Sequence, residues 1–119
     1  MEIRSLGEAT PFTTVDGSTI RSLLDRSNAP VQMQSLAEAS LPAGGVTTRH
    51  YHRESEEFYY VLDGSGTMEV DDDRRRVEPG DAVIIPPRAW HQIRADGDEG
   101  LRFLCCCAPP FSPEDTFFE

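Results

Sequence analysis

Lysine is absent: all eleven cations of the sequence are arginines, so no Schiff-base chemistry can run through a lysine amine. Positive charge is scarce altogether. Asp and Glu number 21 against those 11, and the resulting net charge of −10 at pH 7 repels phosphate backbones and argues against a nucleic-acid partner. No stretch approaches the ~18 apolar residues of a membrane span. Met1-Glu-Ile-Arg has neither the basic start nor the apolar centre of a secretion signal, so a cytoplasmic chain without a membrane partner is expected. Cysteine is confined to Cys105, Cys106 and Cys107, whereas a disulfide framework spreads an even number along the chain. Reduced thiols in a strand are expected.

Helical periodicity is nearly missing as well. Only Ser18 to Arg26 carries it, with Ile20, Leu23 and Leu24 at i, i+3 and i+4 behind a Ser18 cap, which predicts one short helical turn. What is plentiful is punctuation: nine Gly and nine Pro separate short, often alternating apolar runs. The runs predict about eight strands: 32–39, 46–52, 57–62, 66–70, 75–77, 82–85, 91–94 and 101–107. Between them, Leu62-Asp63-Gly64 reads as a turn with glycine at positive φ, Asp71-Asp-Asp-Arg as a hairpin tip, and Pro79-Gly80-Asp81 as a further turn. With 119 residues the chain fits one all-β domain: an N-terminal segment (1–30) on the barrel or a dimer partner, a barrel (31–107), and a Pro/Phe-rich tail (108–119). The prolines of that tail predict that it docks on the barrel or a second copy without continuing a sheet.

Three histidines carry the chemistry. His50 and His52 are two apart in a strand and so project from one face, Glu57 follows after a short loop at the head of the next strand, and a hairpin would bring that carboxylate back beside the imidazoles. His91 comes from a later strand. Three imidazoles and a carboxylate suit a borderline divalent metal, while isolated surface histidines are the bland alternative. The spacing Gly44-x5-His50-x-His52-x4-Glu57-x6-Gly64 closely resembles the first motif of the cupin family. Gly80-x5-Pro86-x-Arg88-x2-His91 resembles the second, with Arg88 where the family commonly has glycine and Ala95 where it commonly has asparagine.

The resemblance covers about residues 31 to 107 and implies a small single-domain cupin. It implies a double-stranded β-helix (jelly-roll) barrel in which His50, His52, Glu57 and His91 bind one divalent transition metal ion, Fe, Mn, Ni, Cu or Zn. Every histidine of the chain then falls on a ligand position, and Glu57, in place of Glu54 or Glu56, fits the step to Gly64. Four protein ligands leave open positions on an octahedral ion, whereas structural zinc favours Cys-rich sets. Alternation sends Tyr59, Val61 and Ile93 inward, together with Phe103, Cys105 and Cys107, and turns Arg102 outward. Tyr59 is the candidate inner proton donor, with packing its alternative. Arg88, Ile93, Phe103 and Cys105 are the candidate substrate contacts, Arg88 reaching from the rim toward a carboxylate, and Trp90 faces away. The functional expectation is a metal-dependent enzyme, an oxygenase or related oxidoreductase acting on a small chelating organic molecule. A non-catalytic carboxylate- or sugar-binding module and a metal-dependent sugar isomerase or epimerase are the alternatives. The Phe-rich tail and Val31 to Leu36 offer edges for a homodimer, which the family commonly forms.

Overall fold

Two long strands organise the structure, a computed structural model that describes residues 1–119. Strand β5 (Glu56–Val70) and strand β8 (His91–Ala108) pair antiparallel along almost their whole lengths, from Glu56 opposite Ala108 to Val70 opposite His91. On β5 the alternation is plain: Glu57, Tyr59 and Val61 are buried, whereas Glu56, Phe58 and Tyr60 are exposed. The remaining strands are β1 (Phe12–Thr13), β2 (Thr19–Leu24), β3 (Ser35–Leu41), β4 (His50–His52), β6 (Asp73–Val77), β7 (Ala82–Ile85) and β9 (Thr116–Phe118). One ladder runs β1-β2-β3-β8-β4-β9, and β5 joins β6, β7 and β8, so one antiparallel sheet curls over itself as a jelly-roll barrel. Phe103, Ile85, Ile93, Val61, Met68 and Leu101 fill its core.

Where two strands and a turn were expected around Leu62-Asp63-Gly64, β5 runs on without a break. Gly64 does take positive φ (79°), but as part of a bulge at which the register against β8 shifts. A Cβ there would collide with the Gly100 carbonyl oxygen, so glycine lets the two strands approach while the bulge bends them. The same merging joins the expected 91–94 and 101–107 strands into β8. Asp71 and Gly80 occupy turns as expected, with φ of 51° and 95°.

Two expectations fail. The predicted helical turn at Ser18 to Arg26 is strand β2, and the helical turn of the N-terminal region is a short 3-10 turn at Leu6–Glu8. A bulge between Ser22 and Leu24 explains the deception: the extra residue breaks period-two alternation and leaves Ile20, Leu23 and Leu24 at helix-like intervals. The tail also continues the sheet, since Thr116–Phe118 lies beyond its last proline and pairs with β4, Thr116 opposite His52 and Phe118 opposite His50. Only the proline-bearing part obeys the amide-donor rule.

Candidate metal centre and its cavity

His50 and His91 face each other directly across the β4–β8 ladder, and His52 follows two residues on along β4. One ring nitrogen of each histidine lies within 4.8 Å of the others, and all three side chains are buried. Glu57 does not arrive by the expected hairpin. Strands β4 and β5 share no ladder; Glu57 projects from β5, where its neighbours are Ile85 and Cys107, and reaches the histidines across the barrel. Its Oε1 is 3.2 Å from His52 Nε2 and 3.5 Å from His91 Nε2.

The backbone fixes the tautomers. His50 Nδ1 donates to the Thr48 carbonyl (2.7 Å) and His91 Nδ1 to the Ala89 carbonyl (3.0 Å); a carbonyl can only accept, so both nitrogens carry the proton. His52 Nδ1 donates to the Thr116 hydroxyl oxygen at 3.2 Å, since that hydroxyl itself donates a hydrogen bond to the Ser112 carbonyl at 3.1 Å. His50 and His91 therefore carry Nε2 lone pairs, while His52 Nε2, 3.2 Å from Glu57 Oε1, shares a proton with that carboxylate. The Nε2 of His91 is wholly buried and has no hydrogen-bond partner, an arrangement that costs free energy unless a cation or a proton joins the cluster. Three imidazoles, once the proton between His52 and Glu57 is displaced, and one carboxylate are donors that fit a divalent transition ion, and each imidazole is oriented from behind as metal-binding histidines usually are.

Electrostatics separate the rings. Burial and the neighbouring His91 push His50 down to about 4, keeping its lone pair free at neutral pH. Burial pushes Glu57 up, but the His52 hydrogen bond and the nearby His91 outweigh it and hold the carboxyl well below its usual range. His52 is raised: burial opposes its charge, and the Glu57 hydrogen bond and charge prevail. The other oxygen of Glu57, Oε2, accepts from the Cys107 thiol at 3.1 Å, and burial together with Glu57 pushes that thiol far up, so it stays a protonated donor.

A cavity of about 120 Å³ opens on this cluster, lined by His50, His52 and Glu57 on one side. Tyr59, Phe103 and Cys105 line it as the sequence suggests, whereas Ile93 lies in the core at 0% exposure and Arg88 is an exposed loop residue outside the wall. Arg88 takes positive φ (70°), the conformation in which glycine is least strained, and its N–H donates to the His52 carbonyl at 2.7 Å. Burial drives the Tyr59 phenol well above 10, and its ring packs 4.6 Å from that of Phe103, so it can donate a proton in a hydrogen bond but does not serve as a base. Trp90 faces away and packs edge-on against Tyr51 at 4.7 Å beneath Arg49. Sequence reasoning missed the opposite wall altogether: Phe12, Asp16, Ser18, Ile20 and Ser22 come from β1, β2 and the turn between them. The signal was present in the Ser18-x-Ile20-x-Ser22 alternation after Asp16-Gly17, which a helical reading conceals.

Among known proteins, a family model described as a cupin domain matches residues 37–107. The chain is 46% identical over 106 residues to an uncharacterized protein of Methanocaldococcus jannaschii, covering 89% of this chain and 85% of that one. Gentisate 1,2 dioxygenase 1 of Aquipseudomonas alcaligenes is 40% identical over 62 residues, 51% of this chain and 18% of the dioxygenase. Of solved structures, the polyketide cyclase RemF from Streptomyces resistomycificus has 26% identity and a TM-score of 0.80, over 97% of this chain and 89% of that chain. No helix is long and apolar enough to cross a membrane.

Proposed function

Because the chain belongs to the cupin family, we propose that His50, His52, Glu57 and His91 hold one divalent transition metal ion and that the protein is an oxygenase or related oxidoreductase acting on a small chelating molecule. The observation that carries this reading is the buried, partnerless Nε2 of His91, aimed into a cluster whose other donors are already oriented. When bound, such an ion supplies Lewis-acid or one-electron chemistry with open positions for a substrate and a second small molecule. The chain does the rest. Thr48, Ala89 and Thr116 hold the imidazole rings in place, Cys107 orients Glu57, and the apolar wall of Phe103, Ile20 and Phe12 limits water. Tyr59 keeps its proton and is available to donate to a bound oxygen atom.

Segment similarity to the gentisate dioxygenase supports the oxidative class. Sugar-phosphate isomerisation is disfavoured, since no arginine lines the cavity to receive a phosphate. The scarcity of acid–base groups beyond Tyr59 keeps a non-catalytic binding module as the second reading. Elemental analysis of protein purified without chelators, with oxygen uptake measured across small phenols and acids, separates the two. Near-stoichiometric metal with substrate-dependent uptake, both lost in His50→Ala, is the expected result. Metal without uptake transfers the reading to binding, and absence of metal removes the centre.

A further inference from the structure

Two of the three histidines sit on a strand that the rest of the barrel holds lightly. Strand β4 pairs with β8 only where His50 faces His91, with the Arg88 amide donating to the His52 carbonyl as well. Its longer ladder is with β9, where His50, Tyr51 and His52 stand opposite Phe118, Phe117 and Thr116. That partner strand lies beyond the matched cupin segment. Without it β4 would be an edge with open amides and carbonyls along one side.

The segment that carries β9 is fastened at several points around the same cavity. Buried Ser55 donates its hydroxyl to the Pro109 carbonyl at 2.8 Å, and the Phe111 amide donates to Ser35 Oγ at 2.8 Å, which seats Phe111 in the cavity wall. Asp115 accepts with both carboxylate oxygens, from the Glu54 amide at 2.9 Å and the Ser55 amide at 3.0 Å. It thereby clasps the loop that joins the strand of His52 to the strand of Glu57. On the other face of β9, Phe117 stacks on Tyr51 at 5.1 Å, and alternation turns both rings away from His50 and His52.

We infer that residues 109–119 are a strap whose docking is coupled to metal occupancy: metal uptake tightens the strap, and release of the strap lowers the affinity of the centre and opens the cavity wall at Phe111. This adds regulation to the metal-centre reading and rests on it. The coupling follows from position. A docked strap fixes where β4 holds His50 and His52 against His91, a bound ion fixes the same strand through its side chains, and each favours the other by the same factor. Asp115 is the latch on the ligand loop, and Phe117 is a fastening on the face turned away from the histidines.

Residue-resolved hydrogen exchange and titration calorimetry with zinc, which is redox-inert, read the coupling from both sides on the full chain. In the wild type, saturating zinc should slow exchange of the β9 amides by about tenfold, while amides of the β6 hairpin, which open locally elsewhere, keep their rates. In Phe117→Ala the β9 amides should exchange faster without zinc, zinc should bind about tenfold more weakly, and saturating zinc should restore most of the lost protection. Asp115→Asn, which keeps one acceptor oxygen for two amides, should weaken zinc by about threefold, and it carries the test where Phe117→Ala does not fold. Arg21→Met, on distant β2, should leave zinc affinity within about twofold of the wild type. Unchanged zinc affinity in a variant whose strap exchanges faster overturns the inference. So does β9 exchange indifferent to bound zinc, exchange that neither strap variant alters, or an equal loss of affinity in Arg21→Met. A wild type that holds no zinc is a separate outcome, which overturns the metal centre itself and the inference with it.

Discussion

Two glutamates are buried in this barrel, on opposite faces of the same sheet, and they are neutralised in opposite ways. Glu38, 2% exposed on the outer face of β3, accepts a two-bond fork from Arg21 (2.8 and 2.7 Å) and a third bond from Arg102 (3.0 Å), which also grips Asp63. Glu57, 5% exposed inside, has two imidazoles and a thiol. Guanidinium is always charged, so the outer set is complete and closed. Imidazole can offer a lone pair in place of a proton, so the inner set is able to accept a cation. A closed ion-pair network holds strands together, whereas a set of imidazoles and a carboxylate can take up a cation from solution.

Removing a proposed metal ligand should give the largest effect. His91→Ala is expected to take metal content from about one per chain to background. The metal-linked gain in stability, about 4 kcal/mol at a thousandfold excess over Kd, should vanish from thermal melts run with and without chelator. Next comes the closed set. Arg21→Met with Arg102→Met strands Glu38 and should cost about 3 kcal/mol, below the upper range for buried pairs because both arginines are about one-third exposed. Metal per folded molecule should not change, and a fall like that of His91→Ala would erase the distinction between the two carboxylates.

Acid sharpens the contrast further. The Arg21 hydrogen bond holds the Glu38 carboxyl below its usual range despite burial. A depressed carboxyl stabilises the fold above about pH 4.5 and loses that contribution as pH falls through the folded value, so metal-free wild type should lose stability more steeply in that window than the double arginine variant. Cys107→Ala should cost about 1 kcal/mol and weaken metal binding about tenfold by freeing Glu57, with Cys107→Ser restoring most of it. Glu54→Ala, at an exposed neighbour of the motif, should move neither metal content nor stability beyond about 0.5 kcal/mol.

The legible parts of this molecule are those governed by period two. His50, His52 and Glu57 could be assigned to buried faces because each sits in unbroken alternation, as do Tyr59, Phe103 and Cys105. Legibility failed at the bulges, where one inserted residue at Leu23 imitates a helix and one glycine at position 64 imitates a turn. It failed again for groups that meet only through the closed barrel. Nothing local tells Thr116 that it will stand behind His52, or Asp16 that it will share a cavity with His50.

That closure has a kinetic side. The histidine cluster joins residues 50, 52 and 91, its carboxylate is braced from residue 107, and His52 is braced from residue 116, so nearly every part of the centre waits on pairings distant along the chain. Such pairings form late and slowly, because loop closure must precede the contacts that reward it. Yet the rings of His50 and His91 are oriented by backbone carbonyls and that of His52 by the Thr116 hydroxyl, so no ion is needed to impose them. On the proposed metal reading, folding would come first and loading second, with the ion chosen by what the finished barrel meets through the mouth of its cavity.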